Sequence, residues 1–354
     1  MGKFLLPATT ITTENTVHHC DALTLLRALG DSSVDLISTD PPYFEVKQTE
    51  EWDNQWRDFG AFIAWLDGHL REMRRVLKPN GSLYLFCATK YAADVEIAVR
   101  KHFNVLNTIR WKKPPFSTKA EMFDKEAMRA YFPASESIVF AEQYGADSPY
   151  QGALIDGNAT YWGALESAKV SVIGDYLKTE FQRSGATNRE IAALFPSRTG
   201  GLTGCVSNWL LGLNVPTPEQ YQKMRDYLNR DGEYSYLRRE YEDLRREYED
   251  LRRPFYATPN SPYTDVWEFP TVNTYPGKHV CEKPLSMAEH IVRVSSRPGA
   301  LVLDPFAGSG NLLRGAFLQG RRYIGGDADA YWARVADTRV KLPFNLSLFA
   351  DEAA

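Results

Sequence analysis

The apolar and polar positions of the chain form two blocks that each predict a strand, a helix and a second strand. In the first block, residues 34–39 (VDLIST) and 82–88 (SLYLFCA) are short apolar runs, and the amphipathic stretch between them has apolar residues at helical spacing. Residues 300–310 (ALVLDPFAGSG), followed by NLLRGAFLQG and RRYIGGDAD, repeat the pattern in a second block. Such units predict a mostly parallel sheet covered by helices.

The pattern changes between the two blocks. This middle region is polar with helical periodicity, and Gly and Pro cluster in predicted turns at 196–204 and 254–262. We therefore predict that residues 1–145 and 276–354 are the two halves of one α/β domain. Residues 146–275 are predicted to form an inserted helical domain.

A tandem repeat of LRREYED lies inside the predicted insertion. It places Leu237, Leu244 and Leu251 seven positions apart, which predicts a helix with one apolar seam. A single helix from about Pro218 to Arg253 would be roughly 50 Å long. Such a seam is compatible with two arrangements. The helix packs its seam against its own domain, or it forms an arm that dimerises or lies along DNA.

Length and charge narrow the class of protein. A chain of 354 residues suits one catalytic domain with an insertion. The net charge of −4 argues against a protein that coats DNA non-specifically, so a nucleic-acid site requires a local basic patch. No stretch approaches the roughly 18 apolar residues of a membrane span, and the start does not read as a signal peptide, which predicts a cytoplasmic protein. No metal site or disulfide framework is predicted from the widely spaced cysteines, Cys20, Cys87, Cys205 and Cys281.

Asp40, Pro41, Pro42 and Tyr43 directly follow the first predicted strand. Such residues are ordinary turn formers, and the tetrapeptide is compatible with a simple tight turn. They also suit methylation of an exocyclic amino group, whose lone pair is delocalised into the base until acceptors hold both N–H bonds. The predicted acceptors are the Asp40 carboxylate and the Pro41 carbonyl, and Tyr43 is predicted to stack on the base.

The segment DPFAGSG (304–310) follows a predicted strand and opens a predicted helix. Its glycines allow a ligand to approach the backbone at a helix N-terminus. Asp327 follows the next predicted strand, where an acidic side chain can bind both ribose hydroxyls of an adenosyl cofactor. The chain contains neither G-x-G-x-x-G nor G-x-x-x-x-G-K-[ST], which weakens a dinucleotide or triphosphate site as the alternative.

Together these segments resemble the amino-methylating DNA methyltransferases, whose catalytic motif is (D/N/S)PP(Y/F/W). The order of the motifs, with the catalytic one first, resembles the permuted beta class of that family. The resemblance covers residues 1–145 and 275–340. It implies a circularly permuted, doubly wound Rossmann-like sheet of seven mixed strands, a target-recognition role for the insertion, and S-adenosylmethionine as the cofactor. The cofactor-binding residues that it implies are Asp21, His279, Lys283, Asp304, Phe306, Gly308, Gly310 and Asp327.

Shorter segments add to the resemblance. CDAL (20–23) resembles the family's GDAL, and HVCEKP (279–284) resembles its cofactor-proximal HPTQKP. SESIVFAEQ (135–143) resembles a strand that lines the target-base pocket. Two positions depart from the pattern: Asn311 stands where Thr is usual, and Cys20 where Gly is usual.

Residues 187–211 predict two short helices joined by a Gly-rich turn. Thr187 and Glu190 form a capping-box pattern, and Val206 and Trp209 recur at helical spacing. The pair resembles a helix-turn-helix with a lengthened turn, whose second helix would enter the major groove. It is also compatible with two packed helices in a domain that contacts DNA elsewhere. The predicted DNA contacts are Arg189, Arg198, Thr199, Thr203, Ser207 and Asn208.

We interpret the chain as a methyltransferase that methylates N6 of an adenine flipped out of double-stranded DNA. Phe44, Trp52 and Trp56 are expected to form a loop that closes over the base. Three alternatives stay open: methylation of cytosine at N4, an inactive DNA-binding regulator on the same scaffold, and an RNA methyltransferase. A homodimer and a cognate restriction endonuclease are open as partners, and a membrane is not expected.

Overall fold

The computed structural model describes residues 13–113, 129, 131, 133–143, 170–233, 235–251, 253–258 and 263–342. Within this part of the chain, one compact unit comprises residues 13–143 and 254–342, and a second comprises residues 170–253. Residues 254–275, predicted to lie in the insertion, therefore belong to the first unit. The reason is local: the Tyr256 N–H donates to the Val294 carbonyl at 2.8 Å, and Trp267 pairs with a strand of the sheet.

The first unit is built on a sheet of eight strands within its described residues. They are β1 (Thr16–His19), β2 (Val34–Thr39), β3 (Leu77–Cys87), β4 (Asn104–Lys112), β5 (Ser135–Glu142), β6 (Val266–Trp267), β7 (Leu301–Asp304) and β8 (Arg322–Asp327). The spatial order is β1-β8-β7-β2-β3-β5-β4-β6. β5 is antiparallel to β3 and β4, and the other pairs are parallel. The predicted mixed α/β sheet is confirmed, with the two-residue β6 added to the seven strands expected.

Helices pack on both faces of this sheet. In chain order, the α-helices of the described residues are α1 (Ala22–Ala28), α2 (Phe59–Val76), α3 (Ala92–Arg100), α4 (Asp175–Ser184), α5 (Asn188–Ala193), α6 (Cys205–Leu210), α7 (Pro218–Leu228), α8 (Tyr241–Leu251), α9 (Leu285–Ser295), α10 (Asn311–Leu318) and α11 (Ala330–Val340). Of these, α4 to α8 belong to the second unit, and the others belong to the unit that contains the sheet. Successive side chains of β3 point to opposite faces, so Leu83 and Leu85 pack with α1 to α3, whereas Tyr84 and Phe86 pack with α9 to α11. None of the helices in the described part of the chain is long and apolar enough to cross a membrane.

The chain reverses its direction of winding between β2 and β7. From β2 it continues to β3 on one side, and from β7 it continues to β8 on the other side. At such a switch point, the carboxyl ends of the two central strands diverge and leave a crevice in which α/β proteins bind ligands. Asp40 follows β2 and Asp304 ends β7, so both carboxylates lie at this crevice.

The second unit has its own core, formed by side chains such as Trp209, Tyr221 and Leu244. The predicted single helix from Pro218 to Arg253 is wrong, because α7 ends at Leu228 and α8 begins only at Tyr241.

Side-chain hydrogen bonds hold the intervening turn. The Asn229 Oδ1 accepts from the N–H groups of Ser235 and Tyr236 at 2.8 and 3.0 Å, and Arg225 Nε donates to the Leu237 carbonyl at 2.9 Å. Leu237 has a φ of 48° and is fully buried, as is Leu244. The repeat therefore packs against its own unit, the first of the two arrangements considered.

Candidate active site

A cavity of about 600 Å³ opens at the carboxyl ends of β2 and β7. It brings together the tetrapeptide at residues 40–43 and the segment DPFAGSG (304–310), which are more than half the chain apart in the sequence. The predicted site residues in its wall are Asp21, Asp40, Pro41, Pro42, Tyr43, His279, Lys283, Asp304, Phe306, Gly308 and Asp327. Gly310 does not line the cavity; it is the N-cap of α10, with a φ of 79°.

Asp304 presents one oxygen without a partner at this cavity. Its Oδ1 accepts from the Thr39 hydroxyl at 2.7 Å and from the Phe306 N–H at 3.1 Å. Its Oδ2 is buried and has no hydrogen-bond partner among the described residues. Burial, with the nearby charges of Asp40 and Asp327, raises the pKa of Asp304 to about 7. A buried, unpaired acceptor of this kind suits a cationic donor on a ligand.

Asp327 supports the glycine segment, which is DPFAGSG (304–310). Its Oδ2 accepts from the Gly308 N–H at 2.8 Å, and its Oδ1 accepts from the Asp329 N–H at 2.9 Å. Gly308 has a φ of 49°, and a Cβ there would lie 3.2 Å from the His279 ring. Burial, and to a smaller extent the Lys283 charge, lowers the pKa of His279 to about 4, so this ring is neutral at pH 7. The backbone approach that the sequence predicts thus depends on glycine at this position.

An aromatic wall lies beside Asp21. The Phe306 ring packs against the rings of Trp65 and His69, with centroid separations of 5.7 and 5.5 Å. Asp21 is the N-cap of α1 and accepts from the Thr24 N–H at 3.0 Å. A flat heterocycle with amino groups would find both an apolar face and a carboxylate here.

The Asp40 carboxylate is held by two donors. The Tyr43 hydroxyl donates to its Oδ1 at 2.5 Å, and Lys283 Nζ donates to its Oδ2 at 2.5 Å. Glu136, at the start of β5, lies 3.2 Å from the same Lys283 Nζ. Burial raises the pKa of Asp40, and Glu136 adds to the shift while Lys283 opposes it. Burial alone would also raise the pKa of Glu136, but Lys283 and Lys113 outweigh it and hold this pKa at about 2.

Lys283 lines the cavity, as its sequence motif predicts, and it also contacts the first motif. The Lys283 side chain is only 4% exposed, and its ammonium contacts Asp40 and lies 5.4 Å from the centre of the Tyr43 ring. Asn311, the residue that departs from the family pattern, fixes this segment, because its Nδ2 donates to the Lys283 carbonyl and to Glu282 Oε1, each at 2.9 Å.

Asp53 organises the loop that follows Tyr43, a role that no pattern in the sequence predicts. Its buried carboxylate accepts from the backbone N–H groups of Tyr43, Phe44, Val46 and Lys47 at 2.6 to 3.0 Å. An aspartate in the polar run EEWDNQW reads as a surface residue, and only the fold reveals that it is enclosed.

Comparison with known proteins identifies the family. Residues 34–337 match the model of the N6/N4 methyltransferase family, described as DNA methylase. The chain is a member of this DNA methylase family.

The curated relatives that match nearly the whole methylase include a type II methyltransferase and a DNA adenine methyltransferase. The methylase is 38% identical over 338 residues to the type II methyltransferase M2.DpnII of Streptococcus pneumoniae, covering 91% of this chain and 88% of that protein. It is 25% identical to the DNA adenine methyltransferase YhdJ of Escherichia coli K12, covering 96% and 86%. A solved structure of the PvuII DNA methyltransferase, described as cytosine-N4-specific, is 13% identical, with a TM-score of 0.47 and coverage of 94% and 89%.

The aromatic residues after Tyr43 do not form the loop that was expected to close over the base. Phe44 is buried against Phe59 and Phe62 of α2, with centroid separations of 5.5 and 5.8 Å. Trp56 packs against Phe62 and Trp65. These two rings are part of the methylase core, because the turn held by Asp53 directs Phe44 inward, and only Trp52 of the three lines the cavity.

The predicted DNA-contacting residues of the methylase lie on α5, on α6 and in the turn between them. The capping box of Thr187 and Glu190 is present. The Thr203 hydroxyl is used inside the turn, since it donates to the Phe195 carbonyl at 2.9 Å, and Asn208 is half-buried. The exposed candidates are Arg189, Arg198, Thr199 and Ser207.

Proposed function

We propose that this methylase transfers the methyl group of S-adenosylmethionine to the N6 amino group of adenine in a specific sequence of double-stranded DNA. The observation that carries the proposal is that the buried Asp40 carboxylate shares one cavity wall with Asp304 and Asp327. An acceptor for the reacting amine and acceptors for the cofactor thus lie at one edge of the sheet, as direct transfer between two bound reactants requires.

The chemistry of the donor set fits the cofactor. The unpaired Oδ2 of Asp304 suits the α-ammonium group, and the remaining lone pairs of Asp327 suit the ribose hydroxyls. Phe306 offers an apolar face to the adenine ring of the cofactor, with Asp21 at its edge. When bound, S-adenosylmethionine supplies an electrophilic methyl group.

Asp40 and Pro41 then act on the target amine. Acceptance of its two N–H bonds by the Asp40 carboxylate and the Pro41 carbonyl localises the nitrogen lone pair for attack. As the nitrogen forms a bond to the methyl carbon, the methyl–sulfur bond would break and S-adenosylhomocysteine would be the leaving group. The amine would carry a positive charge until it releases one proton through the Asp40 hydrogen bond to solvent, and the fixed negative charge of Asp40 would stabilise that charged state. Tyr43 stacks on the base, which enters the cavity by flipping out of the duplex. This chemistry and the order of the motifs correspond to an adenine-specific enzyme of the beta class.

The second unit serves as the target-recognition domain in this proposal. Its exposed residues Arg189, Arg198, Thr199 and Ser207 offer cationic and hydroxyl groups to phosphates and base edges. If Arg198 contacts a phosphate, R198A weakens DNA binding for all sequences and lowers the salt dependence; if it contacts a base, R198A relaxes specificity at one position. A homodimer and a cognate endonuclease stay predictions.

Mass spectrometry of nucleosides from DNA treated with the enzyme and S-adenosylmethionine tests the proposal. We expect N6-methyladenine, and we expect D40A to bind the cofactor normally while forming no methylated base. If the product is N4-methylcytosine, the target base is cytosine and not adenine. If only RNA is methylated, the substrate is RNA and not DNA. Sequence-specific DNA binding without any methyl transfer would identify an inactive regulator.

A further inference from the structure

Both donors that hold Asp40 also lie within reach of a second carboxylate. Lys283 Nζ is 2.5 Å from Asp40 Oδ2 and 3.2 Å from Glu136 Oε2. The Tyr43 hydroxyl is 2.5 Å from Asp40 Oδ1 and 3.3 Å from the same Glu136 oxygen. One oxygen of Glu136 is therefore the alternative acceptor for the two groups that occupy Asp40.

This arrangement matters because Asp40 has a different partner during the reaction. The target amine must donate to Asp40, and it gains positive charge as the methyl group is transferred. The Lys283 ammonium on the same carboxylate would repel that charge and would neutralise the anion that stabilises it. The site is nearly closed to water, with Lys283, Asp40 and Glu136 side chains 4%, 11% and 18% exposed, so a displaced donor needs another protein acceptor.

Glu136 is held in place to provide that acceptor. Lys113, the residue after β4, forms an ion pair with the other Glu136 oxygen, Oε1. The Lys113 N–H donates to the Ala134 carbonyl at 2.9 Å, which fixes the backbone between β4 and β5. Glu136 Oε2 is thus free to approach Lys283 and Tyr43 while Oε1 stays anchored.

We propose that Glu136 is a positioning residue that takes over the hydrogen bonds of Lys283 and Tyr43 when the target amine reaches Asp40. Both donors already lie within 3.3 Å of Glu136 Oε2, and the exchange leaves the total charge of the site unchanged. Lys113 supports the exchange by anchoring Glu136. The inference rests on the proposed function, because it assigns the amine to Asp40.

The variant E136Q tests the exchange in the full-length enzyme. Single-turnover methyl transfer to DNA should slow by about 10- to 100-fold, because Lys283 then has Asp40 as its main anionic partner. Affinities for the cofactor and for DNA should change by less than about threefold, since Glu136 contacts neither ligand in this account. K113M should slow transfer in the same direction by a smaller factor. K112M is the matched control, because Lys112 is the adjacent strand residue, is 60% exposed and pairs with Glu268 at 2.6 Å.

The pH profile separates positioning from a loss of packing. The titratable groups that face Asp40 are Tyr43, Cys87 at the end of β3, Glu136 on β5, Cys281 and Lys283 before α9, and Asp304 on β7. Both thiols have raised pKa values, about 12 for Cys87 and about 11 for Cys281, and stay neutral near pH 7. Since the negative charge of Glu136 raises the pKa of Asp40, E136Q should move the acid limb of the transfer rate to lower pH. A purely structural defect would lower the rate without this shift.

The outcomes are distinct. If the wild-type enzyme transfers no methyl group at all, the proposed function fails. If it transfers normally and folded E136Q does so at the same rate with the same pH profile, only the positioning role of Glu136 is overturned. If E136Q does not fold, K113M decides: a rate equal to that of K112M contradicts the proposal, and a slower rate with unchanged cofactor affinity supports it.

Discussion

The carboxylate of Asp53 accepts a 2.6 Å hydrogen bond from the backbone N–H of Tyr43. The same carboxylate holds the turn in which Phe44 and Glu45 have φ angles of 67° and 54°, a conformation that costs non-glycine residues roughly 1 to 2 kcal/mol each. Charge-assisted hydrogen bonds to four N–H groups offset that cost. The position of the tetrapeptide at residues 40–43 therefore depends on a residue ten positions after Tyr43.

Replacing Asp53 by alanine should release this turn. D53A leaves four buried or part-buried N–H groups without their acceptor and should lower the free energy of unfolding by about 2 to 4 kcal/mol, measured by urea denaturation. Amide hydrogen exchange at residues 43–47 should accelerate, and methyl transfer should slow at saturating cofactor. D31A is the control, because Asp31 is 78% exposed and its ion pair with Arg75 should be worth less than about 1 kcal/mol. Unchanged exchange at 43–47 in D53A would contradict this role.

Asp304 should make cofactor affinity depend on pH. Its pKa is raised to about 7 chiefly by burial, and a bound ammonium favours the ionised carboxylate. Binding below pH 7 must therefore release a proton, and the affinity should fall by up to about tenfold per pH unit as the pH drops from 7. Titration calorimetry of S-adenosylhomocysteine in buffers of different ionisation enthalpy measures both the affinity and the number of protons released.

The variant D304N separates Asp304 from other titrating groups. Asparagine cannot ionise, so this variant should bind more weakly at pH 8 and should lose most of the pH dependence. D94N, a change at an exposed position of α3, should behave like the wild type. Proton release of the same size in D304N and the wild type would assign the titration to another group, such as Asp327.

The sequence predicted those parts of the fold that local patterns determine. The runs at 34–39 and 301–304 are buried strands, because strands covered on both faces read as continuous apolar segments. β6 is only two residues long and has no periodicity to detect. The LRREYED repeat predicted an unbroken helix, since a heptad pattern does not register the Asn229 and Arg225 side-chain hydrogen bonds that hold the turn before it.

The same distinction applies to the candidate site. Within each motif, at residues 40–43 and 304–310, the residues are contiguous in the chain, so the order and spacing of the motifs predicted the site. Glu136, Lys113 and Asp53 come from other elements and meet the motif residues only after folding. Lys283 was found through its motif, but its contact with Asp40 depends on the packing of the segment before α9 against the end of β2.

Removal of the Lys283 charge should affect transfer more than cofactor binding. K283M leaves Asp40 and Glu136 buried without their shared cation, which should lower the transfer rate by about 100-fold at pH 7.5. Lys283 lowers the pKa of Asp40, so the acid limb of the residual rate should move to higher pH, opposite to the shift expected for E136Q. Cofactor affinity should stay within about threefold of the wild type.

The exposed Lys101 provides the control for this experiment as K101M. A loss of cofactor affinity above about tenfold in K283M, with a normal transfer rate at saturation, would instead support the cofactor-binding role that the sequence motif predicts for Lys283.

Two helical glycines should respond to alanine with opposite signs. Gly68 lies inside α2, and a Cβ there would meet no atom within 4 Å, so G68A should raise the free energy of unfolding by up to about 1 kcal/mol. Gly315 lies inside α10, where a Cβ would be 2.7 Å from the Ala288 Cβ and 2.8 Å from the Ala288 carbonyl carbon. Because backbone of α9 cannot yield as a flexible side chain can, G315A should lower the free energy of unfolding by about 1 to 3 kcal/mol. Since α10 begins next to the glycine segment, G315A should also weaken cofactor binding. Urea denaturation of both variants measures the difference, and a change of the same sign in each would show that the contact between α9 and α10 is looser than the structure indicates.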